Sequence, residues 1–336
     1  MKNILIATVA IMVLLIPACG KTPNNEVVIY NALDEVFSGP ILKDFETTTG
    51  IKVKMLTDTE AVKTVGLVTR LIEEKDNPQA DVFWNNEIGW TLVMKQKGMF
   101  ESYQAESARN IPDTYKDKNG FWTGFAARAR VILYNTSLVQ ENEVPQSILD
   151  FTKPIYKGRV AIARPVVGTM ATHAAALFVN LGEAETKKFF IELKANDCKI
   201  VAGNMMAAKM VANGEIAICL TDTDDANGMM LDNKPVKMVY PDQSGMGALV
   251  LPNSIALIKG GPNQENGKKL IEYILKAETE QKLAKLPSAQ MPLRAELASY
   301  SPMFNLASIK IMAIDYNKLA DWLESSKKFI YDEFLK

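Results

Sequence analysis

The sequence predicts an α/β fold of two doubly wound lobes, with a hinge and a ligand cleft between them. Three observations lead there. Short apolar strands alternate with amphipathic helices, and parallel strands need crossovers of that kind. The alternation runs twice, before and after one long strand-like stretch from Gly124 to Tyr134. The chain of 336 residues also exceeds what one hydrophobic core usually organises.

The elements follow from their periodicities. Val27-Val28-Ile29-Tyr30 is a short apolar strand, and Val36, Phe37, Ile41, Leu42 and Phe45 mark one face of a helix that Pro40 bends near its start and Gly50 stops. Ile51, Val53 and Met55 alternate with Lys52 and Lys54, the period of a strand. Val62, Val65, Leu67, Val68, Leu71 and Ile72 outline the next helix, 80–84 the next strand, and a further helix ends at Gly98. After the long stretch come a strand at 159–163, helices at 168–181 and 183–195, a strand at 199–202, a helix at 204–211 and a strand at 215–220. Strands at 236–240 and 249–258 precede a mostly helical end that includes 264–276 and 316–325. The lobes are expected at 27–124 plus about 249–295 and at 125–248, with the helices of 296–336 packing on both.

The first residues point outside the cytoplasm. Lys2 precedes an apolar run from Ile4 to Ile16, then Pro17-Ala18-Cys19-Gly20. Such a run is too short for a membrane span of ~20 residues and reads as a secretory signal. Cys19 behind small residues resembles a bacterial lipobox, with 1–19 the signal peptide including that lipobox and Cys19 becoming the lipidated N-terminus; the alternative is an ordinary signal cut near Gly20, with Cys19 lost. Residues 20–26 are polar and read as a tether. The expected location is the periplasm or the outer face of the cell membrane. A net charge of -1 without a basic block argues against a nucleic-acid partner. Cys198 and Cys219, taken as lying at opposite ends of neighbouring strands, are expected to stay free thiols. The methionine pairs Met205-Met206 and Met229-Met230 read as core filling rather than as soft metal ligands.

In doubly wound sheets, ligands bind beyond the carboxyl ends of strands. That rule selects Tyr30-Asn31 to Asp34, Trp84-Asn85-Asn86-Glu87, the 164–172 stretch, Gly203-Asn204 and Leu220-Thr221-Asp222-Thr223-Asp224-Asp225. At these same turns the sequence resembles the ferric-ion-binding group of ABC-importer solute-binding proteins (type II periplasmic-binding-protein-like). The resemblance is carried by Val28-Ile29-Tyr30-Asn31, FETTTGIKV at 45–53, ADVFWNNE at 80–87, GFAARARVILYN at 124–135 and LPNSIALI at 251–258. Pro262 and Lys268-Lys269-Leu270-Ile271 add to it. It implies two hinged lobes that close on one small solute and hand it to permease subunits; a monomer without a cofactor is expected. It also implies a ligand set of two adjacent tyrosines, a histidine and a glutamate. Here Thr221 to Asp225 stand at the tyrosine position, Asp34 near the histidine position, and Glu87 one residue off the glutamate position.

The candidate binding residues are therefore Tyr30, Asn31, Asp34, Asn85, Asn86, Glu87, Arg128, Arg130, Thr169, Thr172, Asn204, Asp222, Thr223, Asp224, Asp225 and Tyr240, with Glu87, Asp222 and Asp224 as metal donors. Carboxylates at a strand end suit a hard cation or an amine; the plain alternative is a helix start capped by Thr223. Arg128 and Arg130 share a strand face and suit a carboxylate or phosphate, or else a structural ion pair. Thr169 and Thr172 open a helix, where backbone N–H groups attract anions. His173 reads as a satisfied interior histidine. The expected ligand is ferric iron or another metal, with an accompanying anion, or else a small phosphorylated or amine-bearing organic solute. An enzyme reading competes weakly: the strand followed by Asp222-Thr223-Asp224 resembles haloacid-dehalogenase-type phosphatases, but Ala226 replaces the usual threonine or valine.

Overall fold

A computed structural model describes residues 25–58, 64–301 and 305–336. The leader, Cys19 and most of the tether lie outside the described residues. Among the described residues no helix is long and apolar enough to cross a membrane.

The chain runs β1 (Glu26–Asn31), α1 (Glu35–Thr49), β2 (Lys52–Thr57), α2 (Val65–Glu73), β3 (Val82–Asn85), α3 (Gly89–Gln96), β4 (Phe100–Glu101) and β5 (Thr123–Asn135). It continues through β6 (Val160–Ala163), α4 (Gly168–Leu181), α5 (Glu183–Ala195), β7 (Lys199–Val201), α6 (Asn204–Ala212), β8 (Ile218–Asp222), α7 (Thr223–Leu231) and β9 (Val236–Val239). It closes with β10 (Val250–Ile258), α8 (Gln264–Ile274), α9 (Ala277–Lys285) and α10 (Tyr316–Phe329). Gly50, at φ 69°, ends α1 as its position after the helix predicts. Pro40 lies inside α1.

The strands form one path, β2-β1-β3-β10-β5-β8-β6-β7, with β4 on β10 and β9 on β5. The path is mixed rather than purely parallel. β1, β2 and β3 are mutually parallel, as are β6, β7 and β8, but β10 and β5 run antiparallel to their neighbours. β5 belongs to both halves: residues 123–129 pair with β10, and 130–134 with β8. Each half is a lobe, and the parallel strands of both turn their carboxyl ends toward the place where β5 crosses.

Each half buries apolar residues on both sheet faces. Val27, Ile29, Val82, Trp84 and Leu257 fill one side of the first lobe, under α1 and α8. Ile132, Ile162, Leu220 and Phe190 fill one side of the second, and Val131, Leu133, Val211 and Cys219 the other. One core spans the lobes: Phe83, Val93 and Leu251 pack with Ala171, Ala175 and Ala176 of α4 and with Leu319 and Leu323 of α10. α10 touches α3 of the first lobe and α4 of the second. Its Trp322 stacks on Phe178 at 4.6 Å, and Lys327 lies 3.9 Å over the Trp90 ring.

Cys198 and Cys219 are free, but the reason differs from the expected one. β7 and β8 are not neighbours, because β6 lies between them. Two strand spacings of about 4.8 Å hold the cysteines apart, beyond the ~7 Å reach of a disulfide. Of the methionine pairs, Met229 is buried, whereas Met206 is half exposed and Met205 reaches a cavity described next.

Candidate functional site

A cavity of about 260 Å³ opens where the two halves meet at β5. The first lobe contributes Asp34, ahead of α1, and Asn86, beyond β3. β5 contributes Arg128. The second lobe contributes Ala163, Val167, Gly168 and Thr169 from the β6–α4 turn, Ala202 to Met205 through the β7–α6 turn, and Asp222, Asp224 and Asp225 at the β8–α7 junction. Gly168 sits at φ 53°, a conformation L side chains rarely adopt, which lets the chain turn from the strand end straight into α4.

α4, α6 and α7 all begin at this wall, and none has a side-chain hydrogen bond capping its start. First-turn N–H groups without such caps, at the positive ends of three helices, favour a negative group in the cavity.

The aspartates are already engaged with arginines. Asp222 accepts from Arg130 Nη1 at 2.6 Å, Thr169 Oγ1 at 2.7 Å and Asn204 Nδ2 at 3.1 Å. Burial would raise its carboxyl, but the Arg130 and Arg128 guanidiniums and these hydrogen bonds outweigh burial and hold it below the usual range. Arg128 donates to Asp224 at 2.7 Å and to the Asn86 carbonyl at 2.5 Å, so one guanidinium holds both lobes. Burial would lower Arg128; Asp224 and Asp222 beside it more than reverse this and keep it charged. Asp225 accepts from Thr221 Oγ1 at 2.8 Å. Burial, then Asp224 and Asp222, push its carboxyl well above the ordinary value. One carboxylate oxygen from each of the three aspartates lies within 4.8 Å of the others.

Three cavity residues carry buried polar atoms without a protein hydrogen-bond partner among the described residues: Asn86 Oδ1, Arg128 Nε and Asn204 Oδ1. Buried polar groups are rarely left so.

Several expected residues stand elsewhere. Glu87 is not on the cavity wall: it is fully buried and accepts from Asn85 (2.8 Å), Thr172 (2.5 Å) and the Gly89 and Trp90 amides (2.5 and 3.1 Å). Burial raises its carboxyl and those hydrogen bonds pull the other way. Its place is the seam between α3 and α4, away from the cavity lining. Thr172 is its partner there. Tyr30 hydrogen-bonds Glu74 and Arg70, and Asn31 braces the turn into α1 through Leu33 and Ser38. Asn85 holds Glu87 and Thr91. Arg130 lies behind the wall, with Nε on His173 Nδ1 at 3.3 Å. Thr223 does not cap α7; its hydroxyl accepts from the Ala129 amide. Tyr240 packs against the cores of both lobes, and burial pushes its phenol up to about 12. The stretches selected from sequence take in Val167, Gly168 and Gly203 without singling them out as binding residues, and they stop short of the wall residues Ala163, Ala202 and Met205. The strand-end rule marks the turns to within a residue or so but not which members face inward.

A family model described as bacterial extracellular solute-binding protein matches residues 77–307. The chain belongs to that family. Among relatives of this solute-binding protein is iron uptake protein A1 of Synechocystis, 27% identical over 320 residues, covering 87% of each chain. A periplasmic protein of Salmonella typhi named for 2-aminoethylphosphonate binding is 26% identical over 276 residues, covering 80% of this chain and 78% of its own. The ferric binding protein from Campylobacter jejuni superposes with a TM-score of 0.81 at 25% identity, over 92% of this chain and 99% of that one. This solute-binding protein is thus a transport protein rather than an enzyme. The phosphatase-like Asp222 is tied to Arg130 inside the second lobe.

Proposed function

We propose that this protein is the lipid-anchored binding component of an ABC importer, and that its cavity captures a small solute through an anionic group. One observation carries the choice of ligand: α4, α6 and α7 start uncapped at one cavity wall, with the buried Arg128 beside them. A phosphonate, phosphate or carboxylate there would receive backbone N–H groups and the guanidinium together. Asn86 Oδ1 and Asn204 Oδ1 would accept from a hydroxyl or ammonium on the same solute.

Lobe closure follows from the geometry. Asp34 and Asn86 belong to one lobe, Thr169, Asn204 and Asp225 to the other, so a ligand makes all its contacts only when the lobes meet. It therefore favours the closed population through contacts the open form lacks. The permease subunits read that closed shape. The protein acts as a monomer held at the membrane surface through lipid on Cys19 and the polar tether behind it.

A second reading is a hard cation such as ferric iron, held by Asp222, Asp224 and Asp225. The closeness of their oxygens and the names of several relatives favour it. It requires Arg128 and Arg130 to release two of the three carboxylates. Titration calorimetry separates the readings. On the first, 2-aminoethylphosphonate or inorganic phosphate binds with one site, and Arg128→Ala weakens binding at least tenfold. Saturable binding of ferric citrate, lost in Asp224→Asn while both anions stay silent, would establish the second instead.

A further inference from the structure

The crossing strand carries an irregularity just before the cavity arginine. From Thr123 to Phe125, β5 pairs in step with Ile255, Ser254 and Asn253. Ala126 then has no partner, and pairing resumes with Ala127 on Pro252, Arg128 on Leu251 and Ala129 on Val250. Continued without that extra residue, the register would set Arg128 opposite Val250, whose side chain lies in the core of the first lobe under α1 and α8. The extra residue sets it opposite Leu251, in the core the lobes share. A one-residue slip exchanges the faces of a strand, and bulges re-aim side chains in this way.

The bulge is held from outside the sheet. Ala126 sits at φ 37°, unfavourable for any residue with a Cβ. Its amide donates to Glu280 Oε1 at 2.7 Å, and its carbonyl accepts from Asn253 Nδ2. Glu280, on α9, is fully buried; it also accepts from the Leu293 amide at 2.9 Å and from Arg294 Nη1 at 2.6 Å. Arg294 in turn donates to the carbonyls of Ser107 and Leu275, and the Ala127 and Met291 backbones pair on either side. A buried carboxylate with three donors thus grips the N–H of Ala126, the residue that the β5–β10 pairing skips.

We infer that Glu280 is a positioning residue for ligand binding: by fixing the Ala126 bulge it keeps β5 in the register that presents Arg128 to the cavity. This rests on the anion reading for its effect on affinity, but not for its effect on Arg128. Two readouts are therefore used on the full mature protein. The first is ligand-free: the Arg128 Nε–H resonance, assigned by its loss in Arg128→Lys. The second is calorimetric affinity for 2-aminoethylphosphonate.

In Glu280→Gln the Arg128 resonance is expected to shift or broaden and affinity to fall at least tenfold. Ala126→Gly, which accepts positive φ without help, is expected to restore both within the Glu280→Gln background. The double variant Glu280→Gln/Arg128→Ala is expected to bind no worse than Arg128→Ala alone. Should Glu280→Gln fail to fold, Ala126→Val decides, because it leaves the Glu280–Arg294 pair intact while disfavouring the bulge; it too should displace the Arg128 signal. An unchanged Arg128 resonance in folded Glu280→Gln, or in Ala126→Val, overturns the inference. So do additive losses in the double variant. Absence of wild-type binding to the probe would count against the anion reading alone, leaving the resonance to judge Glu280.

Discussion

His173 shows how one side chain ties the site to stability. It is 1% exposed, its Nδ1 faces Arg130, and burial followed by the Arg130 charge pushes its pKa down from 6.5 to about 3. Between those values the unfolded chain binds a proton that the folded chain refuses. Stability from this residue is thus complete above about 6.5 and is lost as pH falls toward 3, by up to ~1.4 kcal/mol per unit. Urea unfolding at pH 7, 6, 5 and 4 checks this: His173→Gln is expected to show a shallower loss than wild type, and parallel curves would refute it. The histidine's interior place was readable from its lack of cysteine or histidine neighbours in sequence, but it is not fully satisfied: Nε2 is buried with no protein hydrogen-bond partner among the described residues. The pairing of Arg128 with Asp224 and Arg130 with Asp222 was not. Alternation on a strand places both guanidiniums on one face but cannot tell whether an acid or a ligand meets them.

At the scale of elements, the meeting of α3 and α4 depends on Gly89. A methyl there would stand 2.6 Å from Thr172 Oγ1, 2.9 Å from Glu87 Oε2 and 3.1 Å from Leu323 Cδ2. Two of the contacts are with buried groups hydrogen-bonded to each other, and the third is with a buried methyl of α10. Gly89→Ala is expected to cost about 1–3 kcal/mol, the range for overpacking, and to weaken the Glu87–Thr172 bond between the lobes. Thermal unfolding measures the first effect; a variant as stable as wild type would mean the seam yields easily. Element positions were largely legible, because periodicity reports buried faces directly: α4 and α5 fall where the pattern puts them. The order of strands was less so. Nothing local in Cys198 or Cys219 announces that β6 runs between them. The Ala126 bulge was illegible too, since its anchor, Glu280, lies 154 residues away. Glu87 stands off the cavity wall for a related reason. The strand-end rule finds the turn after β3 but does not say that Asn86 faces the cavity while Glu87 turns into the seam.

For the whole molecule, the decisive element is α10, which lies against both lobes. Its Trp322 stacks on Phe178 of the second lobe, while Lys327 covers Trp90 of the first. Trp322→Ala is expected to destabilise the protein by about 3 kcal/mol, toward the low end for loss of a large aromatic. It should also enlarge the ligand-free protein, as X-ray scattering would register through its radius of gyration. An unchanged radius would show that α10 is a passive cover. The two-lobe plan was visible in the sequence through the doubled alternation around 124–134. The helix that ties the lobes together was expected only as a packing element.

A body fastened along one edge can part only at the other. With α10 seated on both halves, opening becomes rotation about a nearly stationary flank, so atoms beside that helix travel least and those farthest from it sweep the widest arc. Traffic of cargo in and out is then confined to the side remote from the C-terminal helix, and residues beneath that helix serve as the fulcrum rather than the gate.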